Sequence, residues 1–266
     1  GWPQAEVIAK AQGAVIKTGF RRETSGWDLD LEELRSLVTP KTKLIFLTNP
    51  NTPPGRLLTP DELAEVVDIS RSVNAWLIVD EVYAGLEWSA PRPPSIAGLY
   101  ERGITTGSVS KALGLQGLRT GWMICQDKNL IMDAVILREN SSEIMNILGE
   151  VIAEIALRPE RYETALEDAR TAGQANLKEL NTFIESQPLL NWTPPEAGLI
   201  GLARLGNNLD GGFVAKRLLE PPYKTFLLPG SAYDQHSHIR VGVGGGAEAN
   251  LSLGLSRLSA FLNAQN

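Results

Sequence analysis

Apolar residues along this chain alternate between two rhythms: short continuous runs, and stripes at three- and four-residue spacing. The short runs predict strands at residues 43–47, 75–79, 104–109 and 123–125. Residues 75–79 are apolar throughout, as in a strand covered on both faces. Between the first two runs, Thr59-Pro60-Asp61-Glu62 supplies a capping hydroxyl, a first-turn proline and a capping-box glutamate. A helix is therefore expected over residues 60–72, with Leu63, Val66, Val67 and Ile69 turned inward. Asp30 and Glu33 open an earlier helix that carries Leu31, Leu34, Leu37 and Val38 on one side. Strand, helix and strand in this order make a βαβ unit. The alternation predicts an α/β fold, a mostly parallel sheet sandwiched by helices.

Beyond Lys128 the character changes. Ile147, Leu148, Val151, Ile152 and Ile155 predict a buried helix, ended by Arg158-Pro159. A longer, highly charged helix is expected over residues 160–185. Apolar runs at 198–203, 225–228 and 239–243, then an amphipathic helix over 248–262, predict a smaller α+β C-terminal domain. The boundary is expected near residue 165, giving a large domain over 1–165 and a small one over 166–266. No internal repeat or low-complexity segment interrupts this plan.

Composition narrows the function classes. The chain has 266 residues, 43% hydrophobic and 21% charged, which suits a globular protein. A net charge of -6 argues against a surface that collects nucleic acid or anionic lipid, since both require a basic field. A small-molecule ligand fits better. Cys125 is the single cysteine, so no intramolecular disulfide or thiolate cluster can form, and a reducing, cytoplasmic setting is expected. No apolar run reaches the length of a membrane span, and Gly1-Trp2-Pro3-Gln4 lacks the pattern of a signal peptide. Without an initiator Met, the natural protein is expected to continue upstream.

Ligands of open α/β sheets sit outside the carboxyl ends of the strands. Asn49, Asp80 and Lys111 each fall at or just after such an end, so three segments converge on one crevice. Lys111 lies in Ser108-Val109-Ser110-Lys111-Ala112-Leu113-Gly114-Leu115-Gln116-Gly117-Leu118-Arg119-Thr120-Gly121-Trp122, where a lysine leaves a strand into a Gly/Ser-rich turn. Such a lysine can form a Schiff base with a carbonyl cofactor, and Arg119 suits a phosphate. Small residues around it, Ser108, Ser110, Gly114 and Gly117, favour close approach of a ligand. The stretch resembles the cofactor-lysine motif of fold-type I pyridoxal-phosphate (PLP) enzymes, specifically the class I/II aminotransferase family. The resemblance extends over essentially the whole chain.

The resemblance implies roles for individual residues. Asp80, in Leu77-Ile78-Val79-Asp80-Glu81-Val82-Tyr83-Ala84, matches the aspartate that keeps the pyridine nitrogen of PLP protonated, although an isolated Asp after a strand is as often a helix cap. Tyr83 matches the tyrosine that hydrogen-bonds the ring's phenolic oxygen. Lys111 carries the cofactor and then, as a neutral amine, shuttles the substrate proton. Ser108, Ser110 and Arg119 hold the phosphate. Trp2 matches the aromatic that stacks on the pyridine face; a core or frayed tryptophan is the alternative. Asn49-Pro50-Asn51-Thr52-Pro53-Pro54-Gly55 resembles the family loop Asn-Pro-x-Asn-Pro-Thr-Gly, with Thr52 where an asparagine usually meets the phenolic oxygen. The shorter hydroxyl leaves Tyr83 as the main partner, and Thr52-Pro53 is a cis candidate by analogy. Arg240, in His238-Ile239-Arg240-Val241-Gly242-Val243, matches the arginine that clamps the substrate α-carboxylate, the alternative being a strand arginine facing solvent. Gly198 is expected close to the substrate.

Two other signals carry less. His236 and His238 flank one serine, but two imidazoles without a cysteine or placed carboxylate rarely bind metal, and none is expected. Residues 242–246 are glycine-rich, yet near the end of the chain they suit a turn into the last helix better than a dinucleotide loop. The resemblance implies an aminotransferase that passes an amino group from an amino acid to a 2-oxo acid in a ping-pong cycle. Alternatives are another PLP reaction on the same fold, such as an elimination, a C-S lyase or a capreomycidine-synthase-like cyclase, or a catalytically silent fragment. The last is motivated by the upstream segment, which in the family supplies a phosphate loop and part of the small domain. A homodimer is implied by the resemblance. No arginine can be assigned to a distal substrate carboxylate.

Overall fold

The computed structural model describes residues 3–88, 90–143, 145–244 and 250–265. Its first sheet contains β1 (Leu44–Thr48), β2 (Trp76–Asp80), β3 (Gly103–Ser108) and β4 (Gly121–Cys125), in that order. The first three strands are parallel and β4 runs antiparallel to β3. In register, Thr48 lies opposite Asp80, and Asp80 opposite Thr106, so the polar side chains line up along the carboxyl edge.

Helices α1 (Pro3–Ala11), α2 (Leu31–Leu37), α3 (Pro60–Ser72) and α4 (Ile96–Leu99) belong to this half of the chain. The Thr59 hydroxyl accepts from the Glu62 N–H while the Glu62 carboxylate accepts from the Thr59 N–H, the reciprocal capping box that starts α3. Its stripe of Leu63, Val66, Val67 and Ile69 packs with Ile45, Leu77, Val79, Ile96 and Tyr100 into one core. Burial of each such aliphatic side chain contributes about 1.5–3 kcal/mol. At α2 only half of the capping arrangement forms. Asp30 caps the Glu33 N–H at 2.8 Å, but the Glu33 carboxylate pairs with Arg22 at 3.2 Å.

The chain then runs through α5 (Lys128–Ser142), α6 (Ile147–Ala156) and α7 (Pro159–Glu185). Residues 128–142 were not marked as a helix by their pattern, because α5 has no clear apolar stripe and buries no side chain. The expectation of a buried helix at 147–155 needs correction. Helix α6 forms there, but Ile147, Leu148, Val151 and Ile152 are 44–75% exposed; among the described residues the helix meets the start of α7, the 116–118 turn and, across a shared hollow, Leu113 and Leu115.

The second sheet is antiparallel throughout, with strands β5 (Leu190–Trp192), β6 (Ile200–Leu205), β7 (Leu228–Pro229) and β8 (His238–Gly242) in the order β5-β6-β8-β7. Helices α8 (Gly211–Leu219) and α9 (Leu251–Asn263) cover it, and with the end of α7 they enclose Ile184, Leu205, Val214, Leu218, Ile239, Leu258 and Phe261. The strand expected at 225–228 shortens to two residues because the Thr225 N–H is taken by the Leu218 carbonyl at the end of α8. Asn250 caps α9, whose expected start at Glu248 lies outside the described residues. A third cluster joins the two sheets: Tyr83, Leu86, Trp88 and Ala112 pack with Leu166, Leu180, Val243 and Leu255.

Candidate active site

Strand β2 delivers Asp80 to the carboxyl edge of the parallel sheet, half-buried. Its carboxylate accepts from the Val82 N–H at 3.1 Å, and the neighbouring Thr106 hydroxyl and the charge of Lys111 act on it as well. Burial pushes its carboxyl above the usual range, and these three interactions oppose the shift without cancelling it. The Val82 bond is a turn contact rather than a helix cap, because no helix begins after β2 until Ile96. A carboxylate desolvated at a strand end and only partly compensated is suited to a cationic partner.

Tyr83 follows on the turn, 8% exposed. Burial raises its phenol above the usual value, while the Thr52 hydroxyl and the positive charge of Arg240 pull it back. Thr52-Pro53 is cis, as are Asn49-Pro50 and Pro221-Pro222. Asn49, the first of the three residues expected in the crevice, is buried beside Asp80: its N–H donates to the Asp80 carbonyl and its Oδ1 accepts from the Leu58 N–H, both at 3.0 Å.

Lys111 leaves β3 through the 109–120 turn, its Nζ 5.7 Å from the centroid of the Tyr83 ring. The Ser108 hydroxyl accepts from the Ser110 N–H at 3.2 Å. Ser108 pairs in register with Gly121, two residues after Arg119, so the antiparallel return of β4 brings the serine and arginine segments together. Arg119 takes a left-handed backbone (φ 53°) and donates to the Gln116 carbonyl at 3.2 Å, with its side chain exposed. Trp2 lies outside the described residues.

Segments of the second sheet and its approach reach this edge in two places. Gly198, in a left-handed conformation (φ 84°), lies against the Tyr83 ring, where an added Cβ would sit 3.6 Å from it. Just before it, the Glu196 and Ala197 N–H groups both donate to the Gly55 carbonyl. The Glu196 carboxylate accepts from the Leu57 N–H at 2.9 Å and pairs with Arg56 at 2.5 Å. Arg240, half-buried on β8, donates through Nη1 to the Tyr233 hydroxyl at 2.8 Å. Its positive charge acts on the Tyr83 phenol.

Sequence reasoning missed Thr106, Glu196 and Tyr233. Each meets its partner through strand register or a long-range fold-back that no local spacing encodes. The reading of the histidines needs refinement. His238 does have a carboxylate, Glu23, with Nε2 to Oε2 3.3 Å but no aligned hydrogen bond, and it packs edge-on to Trp27. Burial pushes its imidazole below the usual value, which favours the neutral form. Among the described residues no three His, Cys, Asp or Glu side chains gather as a metal would need. No described helix is long and apolar enough to cross a membrane.

Residues 1–258 match the family model for aminotransferase class I and II. The chain is 25% identical over 236 residues to capreomycidine synthase of Streptomyces vinaceus, covering 88% of this chain and 60% of that protein. With nicotianamine aminotransferase B of Hordeum vulgare it shares 26% identity over 275 residues, 98% of this chain and 49% of the relative. It thus spans only about half to three-fifths of these curated relatives. Among solved structures it superposes on a PLP-dependent aminotransferase from Streptococcus suis 89-1591 with a TM-score of 0.91 and 30% identity, covering 97% of this chain and 67% of the other.

Proposed function

Because this chain belongs to the class I and II aminotransferase family, we propose that it is the cofactor- and substrate-binding portion of a PLP-dependent aminotransferase. The observation that carries this reading is the placement of the Lys111 amine 5.7 Å over the Tyr83 ring, with Asp80 at the neighbouring strand end. The donor set fits PLP: a desolvated carboxylate for the ring nitrogen, a phenol for the ring oxygen, a lysine for the aldehyde, and hydroxyls with a guanidinium for the phosphate. When bound, the ring supplies an electron sink for the pair released as a substrate Cα bond breaks.

Asp80 holds a proton on the ring nitrogen, and Thr106 and the Val82 N–H hold Asp80. Tyr83, with Thr52 at its hydroxyl and Gly198 against its face, fixes the phenolic oxygen. Ser108, Ser110 and Arg119 bind the phosphate, for which Arg119 exchanges its Gln116 contact. Trp2 stacks on the ring face. Lys111 takes the proton from the substrate Cα and returns it at the next step, and Arg240 binds the α-carboxylate. We place the domain boundary near residue 165, inside α7, so that one continuous helix links both halves of the site.

A cyclase or elimination is the second reading, favoured by the likeness to capreomycidine synthase; ammonia or a cyclic product in place of a 2-oxo acid would select it. A homodimer is the proposed assembly, consistent with the exposed apolar side chains of α5 and α6, and the cytoplasm the proposed setting. The test is to add PLP to the chain, follow its visible absorption, reduce with borohydride and map the modified peptide. Label on Lys111, absent in Lys111→Ala, is the expected result. Label spread over surface lysines, unchanged in that variant, would overturn the reading in favour of a catalytically silent chain.

A further inference from the structure

Arg240 does not point freely into the crevice. Its Nη1 is held by the Tyr233 hydroxyl at 2.8 Å, and the segment carrying Tyr233 is itself tightly folded onto β8. Leu228 lies opposite Arg240 in register, and the chain then turns back through a short 3-10 helix, residues 230–233. The Gln235 N–H donates to the Gly230 carbonyl at 3.0 Å, and the His238 N–H to the Gln235 carbonyl at 3.0 Å. A Cβ on Gly230 would come within 2.3 Å of the Gln235 carbonyl oxygen and 2.8 Å of the His238 Cβ, so the turn packs on the strand with no slack. The Tyr233 hydroxyl is thereby brought to Arg240 on β8.

From this geometry we propose that Tyr233 is a positioning residue for Arg240, fixing the rotation of the guanidinium so that its remaining N–H groups face the carboxylate of a bound amino acid. The inference rests on the reading of Arg240 as the carboxylate-binding residue. A guanidinium is planar and presents five donors in a rigid fork. One donor committed to Tyr233 sets the plane of the others before the substrate arrives, so less motion is lost on binding.

Tyr233→Phe keeps the ring and removes only the hydroxyl. The first readout is the NMR order parameter of the Arg240 Nε–H in the cofactor-free chain, assigned with Arg240→Lys. It should fall from the rigid range to below about 0.6 in Tyr233→Phe; an unchanged value overturns the proposal, whatever Arg240 binds. The second is the Kd of 3-phenylpropionate by calorimetry on the PLP-loaded protein, beside kcat and KM for an amino acid substrate. One lost positioning bond should raise Kd and KM about five- to tenfold with kcat within about twofold. An equal fall in kcat with KM unchanged would sink the proposal. Arg240→Leu separates the two layers. If it leaves carboxylate binding untouched while Tyr233→Phe still loosens Arg240, the positioning stands and the carboxylate reading falls.

Discussion

Helices α6 and α9 look alike as sequences and differ as structures. Both carry apolar residues at helical spacing, and α6 is the more hydrophobic of the two. Yet α9 buries Leu255, Leu258, Phe261 and Leu262 to 7% exposure or less, whereas Ile147, Leu148, Val151 and Ile152 of α6 remain 44–75% exposed. The difference lies in the surface each helix meets. Helix α9 lies on a sheet whose inner face is already apolar, and Phe261 there contacts Tyr223 edge-on at 5.5 Å. Helix α6 meets the 113–118 turn and the start of α7, with no sheet beneath it among the described residues. Periodicity therefore specifies which face of a helix is apolar, and a neighbouring element decides whether that face leaves water.

This comparison can be broken by mutation. The largest expected effect is from Phe261→Ala, which should lower stability by about 3–5 kcal/mol in urea unfolding, because the cavity is enclosed by two elements. A loss below about 1 kcal/mol would mean that α9 is no better anchored than α6. Next is Gly55→Ala, at the seam between the two sheets. Its φ of 74° and the Ala197 carbonyl 2.5 Å from the added Cβ leave no room, so a cost of about 2 kcal/mol or more is expected. A neutral result would show that the 195–198 segment is not fixed to the large domain.

Asp80→Asn should have a smaller effect of opposite sign. Burial raises the Asp80 carboxyl in the folded state, so the native fold prefers it protonated. The cost of ionising it is absent below the unfolded value near 3.8, grows as pH rises through the folded value, and is constant above. The cofactor-free variant should therefore unfold at a higher urea midpoint at pH 7, with the gain gone at pH 3.5, while losing PLP affinity. A lower midpoint at pH 7 would refute the desolvation argument. The smallest effect is expected for Leu148→Ser with Ile152→Ser, within about 0.5 kcal/mol apiece. A loss above about 2 kcal/mol would mean that α6 is covered in solution.

Much of the large domain was legible because its signals are local. Thr59 and Glu62 cap each other across three residues, and residues 75–79 form a strand on composition alone. The site was legible in the same way wherever chemistry and motif coincide, at Lys111, Asp80 and Tyr83. It was illegible where a partner comes from afar. Thr106 supports Asp80 through parallel register, Glu196 reaches Leu57 across 139 residues, and Glu23 meets His238 across the boundary between the sheets.

By itself the sequence determined the alternation of strands and helices, the placement of Asp80 and Lys111 at strand carboxyl ends, and the residue types suited to a charged ring, an aldehyde and a phosphate. Hydrogen-bond caps, apolar periodicity and side-chain chemistry act over a few residues, and these are written into the order of the chain. The tertiary structure decided that Tyr233 holds Arg240, and that the apolar stripe of α6 stays in water while that of α9 does not. Those outcomes depend on register and on which surfaces close together. A contact between distant segments has a partner only once the whole chain has packed.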